Sequence, residues 1–233
     1  MNFYIGDPHL GHEAIIRLCD RPFASVDEMD EAIISNWNRR VTNEDTVFIL
    51  GDMMFHIQKD PSEYLSRLKG RKILILGNHD AEWIWREGAA KHLTTQVSMM
   101  ELIDKNRKVV LCHYPMLTWP NVRRGSYMVY GHLHGNKEND PCLRYGLKPQ
   151  LLNSCVEVNG YQPVTLDELI ETLALIHLKQ YDGKIMVLDH KGFYQPLKVL
   201  LEHYVAEGML SVETMARLHF AQTPDELLNL LED

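Results

Sequence analysis

Lys72-Ile73-Leu74-Ile75-Leu76 is an apolar run that Gly77 ends, and Asn78, His79 and Asp80 follow with no spacer. The run reads as a buried strand broken by its glycine. Packing does not ask for an amide, an imidazole and a carboxylate at such a strand end. They suit a metal site with an adjacent acid: an oxygen ligand in Asn78, a proton carrier in His79, and Asp80 to orient the ring. Standing alone, Gly-Asn-His-Asp could equally be a polar turn.

The pattern recurs along the chain. Asn2 to Ile5 reads as a short strand that runs into Gly6-Asp7-Pro8-His9-Leu10-Gly11-His12, where extended geometry would point Asp7 and His9 to one side. Thr46 to Leu50 is a second strand, and Gly51-Asp52 follows it. Between these strands lie helical stretches from Glu13 to Cys19, from a Ser25-x-x-Glu28 capping box onward, and from Pro61 to Lys69. Strand alternating with helix predicts a parallel α/β sheet, whose ligands gather at the carboxyl ends of the strands.

Beyond residue 93 the helices thin out. Thr94–Asp104, Lys108–Cys112 and Tyr127–Tyr130 read as strands of a second, more antiparallel sheet. Two of them also end in histidine, at His113 and at Gly131-His132-Leu133-His134. Any one of these histidines could be a satisfied polar residue. Five strand ends that together deliver Asp/His, Asp, Asn/His/Asp, His and His/His point instead to a pair of divalent first-row ions.

Composition narrows the setting. The 233 residues are 45% apolar and 24% charged, with a net charge of −8, which disfavours a general nucleic-acid binder. Four cysteines without C-x-x-C spacing suggest reduced thiols. No run is long enough for a membrane span, and the strand read from Asn2 leaves no room for a signal peptide. A cytoplasmic setting is the expectation.

Taken in order, Asp7-x-His9, Gly51-Asp52, Gly77-Asn78-His79-Asp80, His113 and Gly131-His132-x-His134 resemble the signature of calcineurin-like metallophosphoesterases over residues 1–174. The resemblance implies two facing mixed sheets flanked by helices, a four-layer α/β/β/α sandwich. It implies one ion held by Asp7, His9, Asp52 and His134, and another by Asp52, Asn78, His113 and His132. Asp52 would bridge the pair, and His79, held by Asp80, would donate the proton. Two divalent ions, manganese before iron, zinc or nickel, would be the cofactors.

Protein Ser/Thr phosphatases of that superfamily carry an arginine soon after Gly-Asp. Here Met53-Met54-Phe55-His56 follows, so that specificity is not expected. The opening Asp-x-His-x-Gly-His, with Arg21-Pro22-Phe23, is similar to a small bacterial and phage subgroup. A phosphodiester or a nucleotide pyrophosphate is the expected substrate, with His12, Arg17, Arg21, Arg123 and Arg124 as candidate phosphate contacts.

Residues 175–233 read as a small α/β appendage: a strand at Lys184–Leu188, a helix at Tyr194–Ala206, and further helix openings at Ser211 and at Thr223–Glu226. Gly183 to Leu197 is similar to the carboxyl-terminal part of lysine-decarboxylase-like phosphoribohydrolases. The glycines of their Gly-Gly-x-Gly-Thr-x-x-Glu motif are absent before Thr165-Leu166-Asp167-Glu168. A non-catalytic appendage, possible as a homo-oligomer contact, is therefore expected. Two alternatives stay open. A silent interaction scaffold of the same fold should lack ligands or His79, and neither is missing; a nucleotide-handling tail should release base from a nucleoside monophosphate.

Overall fold

The computed structural model describes residues 1–136, 150–171, 185–189, 192, 195–207, 215, 218–221 and 223. The chain divides into two compact units, Met1–His177 and Leu178–Asp233. Among the described residues no helix is long and apolar enough to cross a membrane.

Among its described residues the first unit holds two four-stranded sheets. One runs β1 (Asn2–Ile5), β2 (Thr46–Ile49), β3 (Arg71–Ile75) and β4 (Leu93–Val97), in that spatial order. Every pair in it is parallel, so this sheet is not mixed as expected. The register sets Ile5, Ile49 and Leu74 side by side, which brings the following residues of β1, β2 and β3 to one edge.

The other sheet runs β5 (Met99–Asp104), β6 (Arg107–Cys112), β7 (Tyr127–Tyr130) and β8 (Leu151–Asn153). Only β5 and β6 are antiparallel; β6–β7 and β7–β8 are parallel. The second sheet is thus the more antiparallel of the two, as expected, although two of its three described pairs are parallel. Parallel pairing lets His113 and His132 leave the same end of that sheet. The single strand expected over Thr94–Asp104 is also two strands, broken at Ser98 and shared between the sheets.

Side chains alternate along a strand, and here the alternation sorts them into separate apolar clusters. Phe3, Ile5, Val47 and Ile49 pack with Met29, Ile33 and Trp37 of the helix Val26–Arg40. Their neighbours Tyr4, Phe48 and Leu50 share a cluster with Val109, Leu111, Val129 and Leu152 of the second sheet. The Tyr4 hydroxyl donates to Asp104 at 2.7 Å within the same buried layer.

Ser25 caps the helix Val26–Arg40 by accepting from the Glu28 N–H at 3.2 Å, while the Glu28 carboxylate returns to the N–H of Ala24 rather than to that of Ser25. Pro61 opens the helix Pro61–Leu65, which stops four residues before the expected Lys69; its capping box pairs Asp60 with Glu63.

In the second unit β9 (Ile185–Leu188) pairs in parallel with β10 (Leu218–Ala221), and the helix Gln195–Ala206 lies between them in sequence. The expected helix opening at Ser211, and all but Thr223 of the one at Thr223–Glu226, fall outside the described residues.

Candidate metal centre

Asp7 and His9 leave β1, Asp52 leaves β2, and Asn78 and His79 leave β3. His113 follows β6, and His132 and His134 follow β7. Parallel pairing between Gly6 and Cys155 joins these two sets of strand ends: Gly6 N–H donates to Ser154 O at 2.7 Å, and Val156 N–H donates to Gly6 O at 3.0 Å.

The local backbone is not extended, contrary to expectation at Asp7 and His9. Asp7, His9, Asp52, His132 and His134 all have positive φ, at 55°, 52°, 50°, 68° and 52°. Left-handed geometry costs a non-glycine residue about 1–2 kcal/mol, and such strain gathers where function imposes it. The turns, not strand alternation, bring Asp7 and His9 into one group and send His132 and His134 to different ones. Two glycines make the approach possible. A Cβ on Gly77 would lie 2.3 Å from Asp52 Oδ1, and one on Gly131 would lie 2.4 Å from Asp7 Oδ2.

Among the described residues three groups of potential ligand atoms result: Asp7, His9 and His134; Asp52, His113 and His132; and Cys19, His134 and Glu157, which shares His134 with the first. The atoms of each lie within 4.8 Å of one another. Asp7 Oδ2 is occupied by the His132 N–H at 2.8 Å and the Cys155 thiol at 3.3 Å. That leaves Asp7 Oδ1 buried with no hydrogen-bond partner among the described residues, as is His9 Nε2. His134 Nε2 stands 3.9 Å from Asp7 Oδ1.

In the second group Asp52 Oδ1 accepts the His79 N–H at 2.8 Å. The other oxygen, Oδ2, faces His113 Nε2 at 3.5 Å, His9 Nε2 at 3.8 Å and His79 Nε2 at 3.9 Å. Oδ2 is thus the Asp52 oxygen that faces histidines of both the first and the second group.

His113 tests whether the residues fit a cation. Its Nδ1 donates to the carbonyl of Leu50 at 2.7 Å, and burial holds its pKa below the usual histidine value. In the neutral ring Nε2 is then an acceptor, and it faces Asn78 Oδ1 at 3.1 Å. Two acceptors aimed at each other, beside orphaned Asp7 Oδ1 and His9 Nε2, are what a shared cation would satisfy. Donor atoms about 2.1 Å from one ion stand roughly 3.0–3.5 Å apart, close to the spacings here. The residues fit.

Electrostatics agree. Burial, with the neighbouring Asp52 charge adding to it, raises the Asp7 pKa to about 8. Burial disfavours the His134 imidazolium, but hydrogen bonds with Cys19 and Glu157 and the charges of Asp7 and Glu157 outweigh it and lift the pKa to about 10. Without a cation, both groups retain protons at neutral pH that a ligand must shed.

Asp80 does not hold the His79 ring. Its carboxylate is fully buried and accepts from the N–H groups of Gly77, Asp52 and Met53, at 2.7, 2.9 and 3.0 Å, and from Trp83 Nε1 at 3.0 Å. Each oxygen takes two donors, so the acid fastens the Asp52 turn to the Gly77 turn. The His79 ring packs instead on Phe55, with centroids 3.9 Å apart.

The candidate phosphate contacts separate. His12 sits beside His9, their Nδ1 atoms 3.3 Å apart, and with Arg17 and His56 it lines a cavity of about 730 Å³. Arg21 cannot contact a substrate: its side chain is fully buried on Glu157 and on the carbonyls of Asp7 and Pro8. Arg123 and Arg124 are exposed on the turn that precedes β7, at the opposite end of that strand from His132. A second cavity, of about 510 Å³, is lined by Cys19, Asp20, His132 and His134. Sequence reasoning missed Glu157, which accepts from His134 Nδ1 at 2.9 Å. The only signal available was an acid two residues beyond Cys155, after yet another strand.

Comparison with known proteins yields several matches, of which four are described. A family model described as "Possible lysine decarboxylase" matches residues 163–231. The uncharacterized protein MJ1445 of Methanocaldococcus jannaschii is 31% identical over 175 residues, covering 73% of this chain and 90% of that protein. The probable cytokinin riboside 5'-monophosphate phosphoribohydrolase LOGL2 of Oryza sativa is 33% identical over 69 residues, 30% of this chain and 28% of that one. Among solved structures, the protein of unknown function AQ665 from Aquifex aeolicus matches with a TM-score of 0.58 at 28% identity, over 73% of this chain and 98% of that chain.

Proposed function

The chain belongs to the family of the uncharacterized protein MJ1445 of Methanocaldococcus jannaschii, and from its own side chains we propose that it is a metal-dependent phosphoesterase with a two-ion centre. The observation that carries this reading is the pair of ligand groups, Asp7–His9–His134 and Asp52–His113–His132, with Asp52 Oδ2 facing histidines of both. Asn78 completes the second group. The order of the motifs, which resembles that of calcineurin-like metallophosphoesterases, supports the same reading.

When bound, two divalent ions polarise a phosphoryl oxygen and make a water nucleophilic near neutral pH. The protein's own part is to hold charge and move a proton. Water oxygen forms the new bond to phosphorus and gives up a proton to solvent, the bond to the leaving oxygen breaks, and His79 gives that oxygen its proton and regains one from solvent. The His79 side chain is one-third exposed, so it can reach a substrate in the cleft. Cavities border the site on both the His12 and the His132–His134 sides, and the two arms of a phosphodiester would need such room. We therefore favour a diester or a nucleotide pyrophosphate over a monoester, and manganese as the metal.

The family-model match over residues 163–231, with the plant relative, favours a second reading, nucleotide handling by the tail. The aligned stretch spans only 28% of the plant protein, and every proposed metal ligand and the proton donor precede residue 135. We place the chemistry in the first unit. The purified chain is expected to hydrolyse a chromogenic phosphodiester, to lose activity to a chelator and to regain it with manganese. Full activity after rigorous metal removal would contradict the proposal, and base release from a nucleoside monophosphate would move the chemistry to the tail.

A further inference from the structure

We propose that Glu157 is a positioning residue for the Asp7–His9–His134 group, fixing the His134 ring while Arg21 fixes Glu157. The inference rests on the metal-centre reading above and adds to it a residue outside every motif.

Glu157 Oε1 accepts from His134 Nδ1 at 2.9 Å, from Arg21 Nε at 2.9 Å and from Arg21 Nη2 at 2.6 Å. Arg21 also donates to the carbonyls of Asp7 and Pro8, at 2.8 Å each. One guanidinium thus ties the turn after β1 to the carboxylate after β8. That carboxylate in turn holds the imidazole after β7. With Nδ1 engaged, only Nε2 of His134 is left to face Asp7 Oδ1.

A ligating histidine whose other ring nitrogen donates to a carboxylate has its orientation fixed and its basicity raised. Glu157 supplies that carboxylate to His134 and, among the described residues, forms no hydrogen bond or ion pair with Asp52, His113 or His132. Its influence should therefore be confined to one of the two groups. The burial of the pair points the same way. The Arg21 side chain is fully buried and that of Glu157 is 8% exposed. A buried ion pair is weak evidence for stability because desolvation offsets its attraction. Holding His134 gives this pair a use that stability does not.

The test is a calorimetric titration of manganese(II) into the metal-free full chain, comparing wild type with Glu157→Ala and Glu157→Gln. Glu157→Ala is expected to weaken one of two binding steps by about 10–100-fold, the usual consequence of losing such a partner, and to leave the other step unchanged. Glu157→Gln keeps an acceptor oxygen in place and should recover part of the loss. If Glu157→Ala fails to fold because Arg21 is left unpaired, the double variant Arg21→Met with Glu157→Leu removes both charges and should show the same one-step loss. Unchanged affinities, or equal weakening of both steps, would overturn the inference while leaving the metal centre standing. A wild-type chain that binds no ion would bring down the metal centre itself, and this inference with it.

Discussion

Replacing His79 with alanine is expected to leave both ions bound and to slow hydrolysis by about 10²–10⁴-fold, the range for removing a general acid. The backbone explains why binding should survive. The bond that His79 makes to Asp52 Oδ1 comes from its main-chain N–H, at 2.8 Å, and alanine keeps it. What is lost is the ring on Phe55, whose Nε2 stands 3.9 Å from Asp52 Oδ2. The deficit should shrink for substrates whose leaving group is already a weak base, because such a group departs without a proton. Metal content by elemental analysis and rates on a leaving-group series give the check. Loss of metal in the variant, or the same deficit for every leaving group, would remove His79 from the proton-donor role.

Asp80→Ala is expected to act through stability. The substitution strands three backbone N–H groups and the Trp83 indole N–H in a fully buried site. Each unsatisfied buried donor costs about 1–3 kcal/mol. Partial relaxation should bring the total to about 3–5 kcal/mol, read from denaturant unfolding of the metal-free chain. The turns that carry Asp52 and Asn78 would loosen together, so metal affinity should fall as well. Had Asp80 served mainly to steer the His79 ring, the variant would keep its stability and lose only rate. Wild-type stability in Asp80→Ala would therefore restore that role.

Much of the site was legible because each strand announces its end. Gly51-Asp52, Gly77-Asn78-His79-Asp80 and Gly131-His132 all put a glycine where a tight approach is needed, and the approaches at Gly77 and Gly131 are under 2.5 Å for an added Cβ. The left-handed turns at Asp7 and His9 carry no such flag, since neither residue is a glycine. Arg21 was read as a phosphate contact because its partner Glu157 lies 136 residues away, and a sequence does not display that pairing. The role of Asp80 was misread for a related reason. Its nearness to His79 in sequence suggested a side-chain pair, whereas backbone donors from two separate turns claim the carboxylate.

The sheets divide along similar lines. Short apolar runs made β1, β2, β3 and β7 plain. Ser98 is too ordinary a residue to mark the passage from β4 to β5. Parallel pairing of β6 with β7 was hidden because the described connection between them holds a short 3₁₀ turn, Val122–Arg124, in place of the usual crossover helix.

Titration of the metal-free chain with manganese(II), in buffers of differing ionisation enthalpy and at several pH values, tests the two-ion centre most directly. Two equivalents should bind per chain, and the heat should depend on the buffer, because Asp7 and His134 hold protons up to about pH 8 and about pH 10 until a cation displaces them. Protonated ligands compete with metal, so affinity should rise from pH 6 to pH 8. Absence of binding, a single equivalent, or binding that releases no proton and ignores pH would contradict the account.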